Sequence, residues 1–208
     1  MSQRAPPAIF IADSVGLDFL NSVARPVDTP VDWIADGEGF LDWLAQAELV
    51  PGEVLARIRA QARPGELDEV ADEARRLREG LRKFVLDHKG RPLPPTALRE
   101  LKPLNRLLER DEMFSQLSSG SPDAGRGLEL VTIRRWRGAE SLLLPVGEAL
   151  ARFVSTENFS DVKACEGPTC TLLFADHTRG KARRWCSMAI CGNRAKQAAH
   201  RDRLRALR

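Results

Sequence analysis

The sequence predicts a mainly α fold with one small β-hairpin, an α+β chain in which a helical N-terminal part precedes a four-cysteine module. Three observations lead to this reading. Apolar residues recur at steps of three and four through most of residues 14–156, most clearly at Leu67, Val70, Ala74, Leu77, Leu81 and Phe84. Strand-forming runs at 113–117 and 128–136 flank the turn-rich segment SSGSPDAGRG, which predicts a hairpin within 112–137. All four cysteines, Cys165, Cys170, Cys186 and Cys191, lie close together near the C-terminal end, in two pairs with the same four-residue spacer. The natural division is residues 1–158 for the helical part and 159–208 for the cysteine module.

Taken in order, Ile9 to Ile11 suit a short strand or a buried arm. Ser14 is placed to cap a helix bearing Val15, Leu17, Phe19, Leu20 and Val23, which must stop before Pro26. Residues 26–37, rich in proline and aspartate, read as a loop. A second helix is expected over 39–49 and a third from Pro51 to 62, with proline in the first turn. Pro64-Gly65 ends it, and a long helix follows over 66–88. Its arginines and lysine at 75, 76, 78, 82 and 83 lie off the apolar stripe and read as a solvated face. His88 closes that helix, where a C-terminal capping role fits. A helix over 96–110 should be kinked or split by Pro103. The last helix of this part runs from Pro145 to about 156, and the polar stretch 155–160 reads as a hinge.

Charge is divided unevenly along the chain. Residues 163–208 hold 11 Lys/Arg and 3 Asp/Glu, a net charge of +8, whereas residues 1–162 carry 21 and 26, a net of −5. A basic arm on an acidic body suggests contact with a polyanion. No apolar run reaches the length of a membrane span and no secretory leader is visible, so a cytoplasmic protein without membrane contact is expected. There is no Gly-rich phosphate loop, no serine elbow and no prominent carboxylate–histidine pairing, so an enzyme is not expected.

In a reducing compartment, four clustered cysteines favour a metal over disulfides. Thiolates suit zinc, which takes four ligands tetrahedrally. Glu166-Gly167-Pro168-Thr169 supplies a turn between the first two ligands, Leu172 to Phe174 a short strand, and 183–185 the return to Cys186. The order resembles a treble-clef finger, so the module is expected to be a treble-clef-like zinc module holding one structural ion. His177 and His200 are rival ligands, but four cysteines need no substitute. Such a site leaves no open coordination position for substrate water.

After Cys191 a helix is expected from about Arg194. At about 100° per residue, Arg194, Arg201, Arg205 and Arg208 share one stripe, and Ala195, Ala199 and Ala206 form a small-residue face for packing. Arg179, Lys181, Arg183 and Arg184 form a second basic cluster, and Asn193 stands at the helix start. Arginine forks hold phosphates, and arginine or asparagine near a helix N-terminus can read base edges. The expected partner is duplex DNA, and since a single finger reads little sequence, a homodimer is plausible. The competing readings are a solvated basic surface and a patch docked on the acidic body.

The residues Trp185-Cys186-Ser187-Met188 and Cys191-Gly192-Asn193-Arg194, with Phe174, Asp176 and Thr178 upstream, resemble the CGNR zinc-finger family. Gly16-Leu17-Asp18-Phe19-Leu20-Asn21-Ser22, followed by Phe40-Leu41-Asp42-Trp43-Leu44, resembles the ABATE domain commonly fused to that finger, with Ser22 where threonine is more usual. The resemblance implies a stress-response transcription regulator with a DNA-binding finger and a body that senses a small-molecule or protein signal. Asp18, Asn21 and Ser22, polar on an otherwise apolar helix, are the candidates for a sensing cleft; the alternative is that Asn21 and Ser22 cap or tie down the neighbouring 26–37 loop. The remaining alternative for the whole chain is a metal-stapled protein–protein interaction module.

Overall fold

A computed structural model describes residues 6–25, 29–120 and 127–206. Seven α-helices and three two-stranded antiparallel sheets alternate among these residues. The helices are α1 (Val15–Leu20), α2 (Gly37–Gln46), α3 (Gly52–Gln61), α4 (Glu66–His88), α5 (Lys102–Leu108), α6 (Leu143–Thr156) and α7 (Asn193–Ala206). The strands are β1 (Val23–Ala24), β2 (Val31–Asp32), β3 (Met113–Ser119), β4 (Leu128–Arg134), β5 (Val162–Ala164) and β6 (Leu173–Ala175). The expected mainly α architecture with small β elements is what forms. No helix among the described residues is long and apolar enough to cross a membrane.

The short helix α1 is the centre of the core. Gly16 through Leu20 are all buried, and α4, α6 and β6 pack around them. Phe19 meets Trp43 of α2 edge-on at 5.4 Å between ring centroids. On its other side α1 touches α6 so closely that a Cβ on Gly16 would lie 2.6 Å from the Ala149 carbonyl oxygen and 2.7 Å from Phe153 Cβ. Only a residue without a side chain permits that backbone approach.

Several elements differ from expectation for identifiable reasons. The first helix ends at Leu20 rather than near residue 25, because Asn21 and Ser22 turn the chain into β1. The presumed loop before α2 contains β2, which pairs with β1 at Val23↔Asp32 and Ala24↔Val31. Asp36 starts α2 two residues early by accepting a hydrogen bond from the Gly39 N–H at 2.8 Å. Pro103 does split its segment: a 3₁₀ turn, Pro95–Arg99, precedes α5, and Leu98 is left exposed. The polar stretch 155–160 is not a loose hinge. Phe159 is buried against Phe84 and Phe153, and its carbonyl accepts from the Gly90 N–H at 2.8 Å.

The face of α4 read as solvated is largely committed. Arg78 is 3 % exposed and forks onto Asp32 with bonds of 2.7 and 2.8 Å, while a further N–H reaches the Ser22 hydroxyl. Arg75 donates to the Ile34 and Ala35 carbonyls, and Arg82 to those of Leu20 and Thr171. Off-stripe arginines satisfy backbone carbonyls of the irregular 20–35 segment, a role invisible to helical periodicity.

Replacing Gly16 by alanine is expected to destabilise the chain by about 1–3 kcal/mol through overpacking at the α1–α6 contact. Urea unfolding should show a lower midpoint with an unchanged slope.

Candidate metal centre and basic helix

The cysteine module begins with β5, which pairs with β6 at Val162↔Ala175, Lys163↔Phe174 and Ala164↔Leu173. The strand expected at 172–174 therefore forms, but its partner is the segment before Cys165 rather than the return at 183–185. The two strands are the walls of a turn that carries Cys165 and Cys170. Of the second pair, Cys186 precedes and Cys191 lies within an irregular turn, Met188–Gly192, whose start is capped by the Ser187 hydroxyl accepting from the Ile190 N–H at 3.0 Å. That turn runs directly into α7.

These pieces bring all four sulfurs within 4.8 Å of one another. Cys170 and Cys186 are 3.8 Å apart at sulfur, and Cys186 and Cys191 3.6 Å. Four sulfurs about 2.3 Å from a tetrahedral ion would stand about 3.8 Å apart, so the donor set fits one such ion. Backbone N–H groups point at the sulfurs: Gly167 and Cys186 both donate to Cys165 Sγ, at 3.4 and 3.3 Å. The Arg194 guanidinium lies 3.7 Å from Cys191 Sγ. A Cβ on Gly167 would fall 2.9 Å from Cys170 Cβ and 3.1 Å from Cys191 Sγ, so the turn closes over the sulfurs only with glycine there.

At this spacing the thiols share their protons unequally. A hydrogen bond from Cys186 draws Cys170 down to about 5, while the bond to Cys170, burial and neighbouring negative charge push Cys186 far above the ordinary thiol range. A bound cation reverses that logic and lets all four ionise together. Among the described residues this is the group of ligand-type side chains that could hold a metal, and His177 is not in it. The His177 imidazole instead contacts Glu157 at 2.8 Å, and His200 is exposed on α7.

A second knot holds the module in shape. Asp176 is fully buried and accepts from Lys163 Nζ at 2.7 Å, the Thr178 hydroxyl at 2.6 Å and the Arg183 N–H at 2.9 Å. Burial alone would raise its carboxyl; these donors outweigh burial and hold it far below the usual carboxylate range. Arg183 lies over the Phe174 ring at 4.3 Å, pairs with Asp13 at 2.8 Å, and donates to the carbonyls of Ile11, Trp185 and Cys186.

The basic residues expected at a nucleic-acid surface thus separate into two groups. Arg183 is an internal brace. Lys181 pairs with Asp161 at 2.9 Å and Arg184 with Glu166 at 2.6 Å. Arg194 turns back onto the Ile190 carbonyl at 2.8 Å. Arg179, Asn193 and Arg201 are exposed. Arg205 lies within α7 but its side chain is outside the described residues, as is Arg208 altogether. The small-residue face differs from expectation: Ala195 and Ala198 are the half-buried alanines, whereas Ala199 is exposed. At about 100° per residue Arg194, Ala195 and Ala198 share one side of the helix, and it is this side that packs on the module; the side chain of Ala206 lies outside the described residues.

Asp18, Asn21 and Ser22 are all engaged within the chain, Asp18 and Asn21 by backbone groups and Ser22 by an arginine side chain. Asn21 is 1 % exposed, and its carboxamide donates to the Leu173 carbonyl at 2.8 Å and accepts from the Leu173 N–H at 2.9 Å. One side chain here does the work of a neighbouring strand along β6. Asp18 Oδ1 accepts from the Ile11 and Ala12 N–H groups at 2.9 and 3.0 Å, holding the arm that was read as a strand or buried segment. The Ser22 hydroxyl is bonded by Arg78. The Asn21 side chain is thus tied to the cysteine module rather than to the 26–37 loop, and the Ser22 hydroxyl is linked to that loop through Arg78, which also holds Asp32.

Two measurements test these joints. Asn21→Ala leaves both polar groups of Leu173 buried without a partner, and should cost roughly 2–5 kcal/mol in thermal or urea unfolding. Burial raises the Asp18 carboxyl to about 6, partly opposed by the bonds from Ala12 and Ile11. The folded state then binds a proton at Asp18 more readily than the unfolded chain. This contribution to stability therefore falls, by roughly 2 kcal/mol, as pH rises from about 4 to about 6. Asp18→Asn should flatten that slope in unfolding curves taken across the same window.

Comparison with known protein families agrees with this geometry. The family model for the CGNR zinc finger matches residues 162–204, and the ABATE model, described as "Putative stress-induced transcription regulator", matches residues 13–157. No curated protein matches the chain. The order of the two matches along the chain and the placement of the four sulfurs lead to one conclusion: the chain belongs to the ABATE family and carries a C-terminal CGNR zinc finger.

Proposed function

We propose that this chain is a zinc-dependent, DNA-binding transcription regulator whose N-terminal helical part receives a stress-related signal, and that it has no catalytic role. The observation that carries the reading is the coupling of a closed four-sulfur site to a basic helix. Cys191 lies in the turn that runs directly into α7, so the ion would fix the start of a helix that has little apolar surface of its own. Soft thiolates in tetrahedral array select zinc, and four of them fill its coordination. Residues 177–201 contain seven Lys/Arg and no Asp/Glu, which suits a phosphate backbone. The family description supplies transcription and stress.

One observation favours the alternative of a protein-interaction module. Leu117, Leu128 and Leu130 of the β3–β4 hairpin lie on one face and are 64–71 % exposed, more apolar surface than a DNA-binding chain requires there. A protein partner or a second copy of this chain would cover it.

The purified protein should carry about one zinc per chain by elemental analysis, and chelation should release it with loss of helical circular dichroism. Fluorescence anisotropy with duplex DNA should give affinity that falls steeply with salt, and Arg201→Gln should reduce the slope of log K against log salt by about one. No measurable duplex binding at low salt by the zinc-loaded chain defeats the reading. A partner captured after nuclease treatment would point to the interaction module.

A further inference from the structure

The polar side chains of α7 divide cleanly by commitment. Arg194, Ala195 and Ala198 turn toward the module and are half-buried. Asn193, Lys196, Gln197 and His200 are all exposed. Their numbers step by three, one and three, so at about 100° per residue they occupy a single face spanning the first two turns. Among the described residues none of the four side chains makes a hydrogen bond or ion pair within the chain, in contrast to Lys181, Arg183 and Arg184, which are all engaged. The helix packs chiefly on its own preceding turn, which leaves its outer surface clear.

We infer that Asn193, Lys196, Gln197 and His200 form a base-reading face that enters the major groove of B-form duplex DNA and prefers adenine. This rests on the DNA-binding reading above and adds which side chains read sequence. The major groove admits an α-helix, and carboxamides pair in bidentate fashion with adenine N6 and N7. Asn193 and Gln197 place two carboxamides one turn apart on one face. Lys196 offers a donor for guanine O6 or N7, and His200 extends the row. From Asn193 to His200 the helix rises about 10 Å, the length of about three base-pair steps. Arg201, on the flank of this face, and Arg179 are exposed cations for the bordering phosphates. The face has no aromatic side chain for stacking, and the deep, narrow major groove of A-form RNA excludes a helix, so duplex DNA is the occupant.

The test is selection of binding sites from a random duplex pool by the full-length, zinc-loaded chain, followed by affinity measurements on the selected and scrambled sites. The wild type should enrich a motif of about three to four base pairs containing adenine. Gln197→Ala and Asn193→Ala should each lower the ratio of selected to scrambled affinity by about tenfold or more, at separate positions of the motif. Arg201→Gln should weaken both sites alike. All four positions are exposed, and zinc content and circular dichroism confirm that each variant folds. Duplex binding with an unchanged motif and ratio in both alanine variants overturns this assignment alone. Equal binding to double-stranded RNA also overturns it. Failure of the wild type to bind any duplex at low salt overturns it together with the DNA-binding reading.

Discussion

The four sulfurs of the cysteine module impose the constraint on which the C-terminal part depends. They are held within one small volume by two turns that belong to different stretches of chain. Thiolates so close repel one another, and among the described residues the compensation comes from backbone N–H groups, of Gly167, Leu172 and Cys186 among them, and from the Arg194 guanidinium. A cation is the natural balance for that charge. Everything after Cys191 inherits its position from this point, because α7 has few apolar residues with which to find a place by burial. The close packing of Gly167 over Cys170 and Cys191 shows how little room the turn leaves around the cluster.

The module is also bound into the helical body. Asn21 pairs with the backbone of Leu173, Arg82 spans the carbonyls of Leu20 and Thr171, and Arg183 reaches Asp13 and Ile11. The apolar core is shared as well: Leu172, Leu173 and Phe174 are as deeply buried as Leu17, Phe19 and Leu20. A finger that might have hung from the body by a linker is instead seated on its central helix. The acidic body and the basic module meet through specific braces rather than through diffuse attraction of opposite charge.

Much of this was legible in the sequence where one physical rule governed. The stripe of Leu67 through Phe84 defines α4 from end to end, Pro103 splits its helix, and the paired cysteines announce their own convergence. Legibility failed where a residue's partner is distant in the chain. Arg78 looks like surface until β2 supplies Asp32 beneath it, and β5 has no signal of its own until β6 lies beside it. Asn21 was conspicuous as a polar residue on an apolar helix, but nothing local identifies a partner 152 residues away. The uncommitted face of α7 was hidden for a different reason. Periodicity groups arginines by angle but does not say which of them the rest of the chain has already engaged.

The carboxamide of Asn21 has a thermodynamic consequence that reaches beyond its two hydrogen bonds. It joins the first helix of the body to a strand of the metal module, so neither can loosen without exposing polar groups on the other. Free energy supplied to one side of such a joint is felt on the other, and the effect is reciprocal. Metal supply then becomes a determinant of how long the whole polypeptide survives proteolysis, and any compound that tightens the body raises the affinity of the sulfurs for their ion.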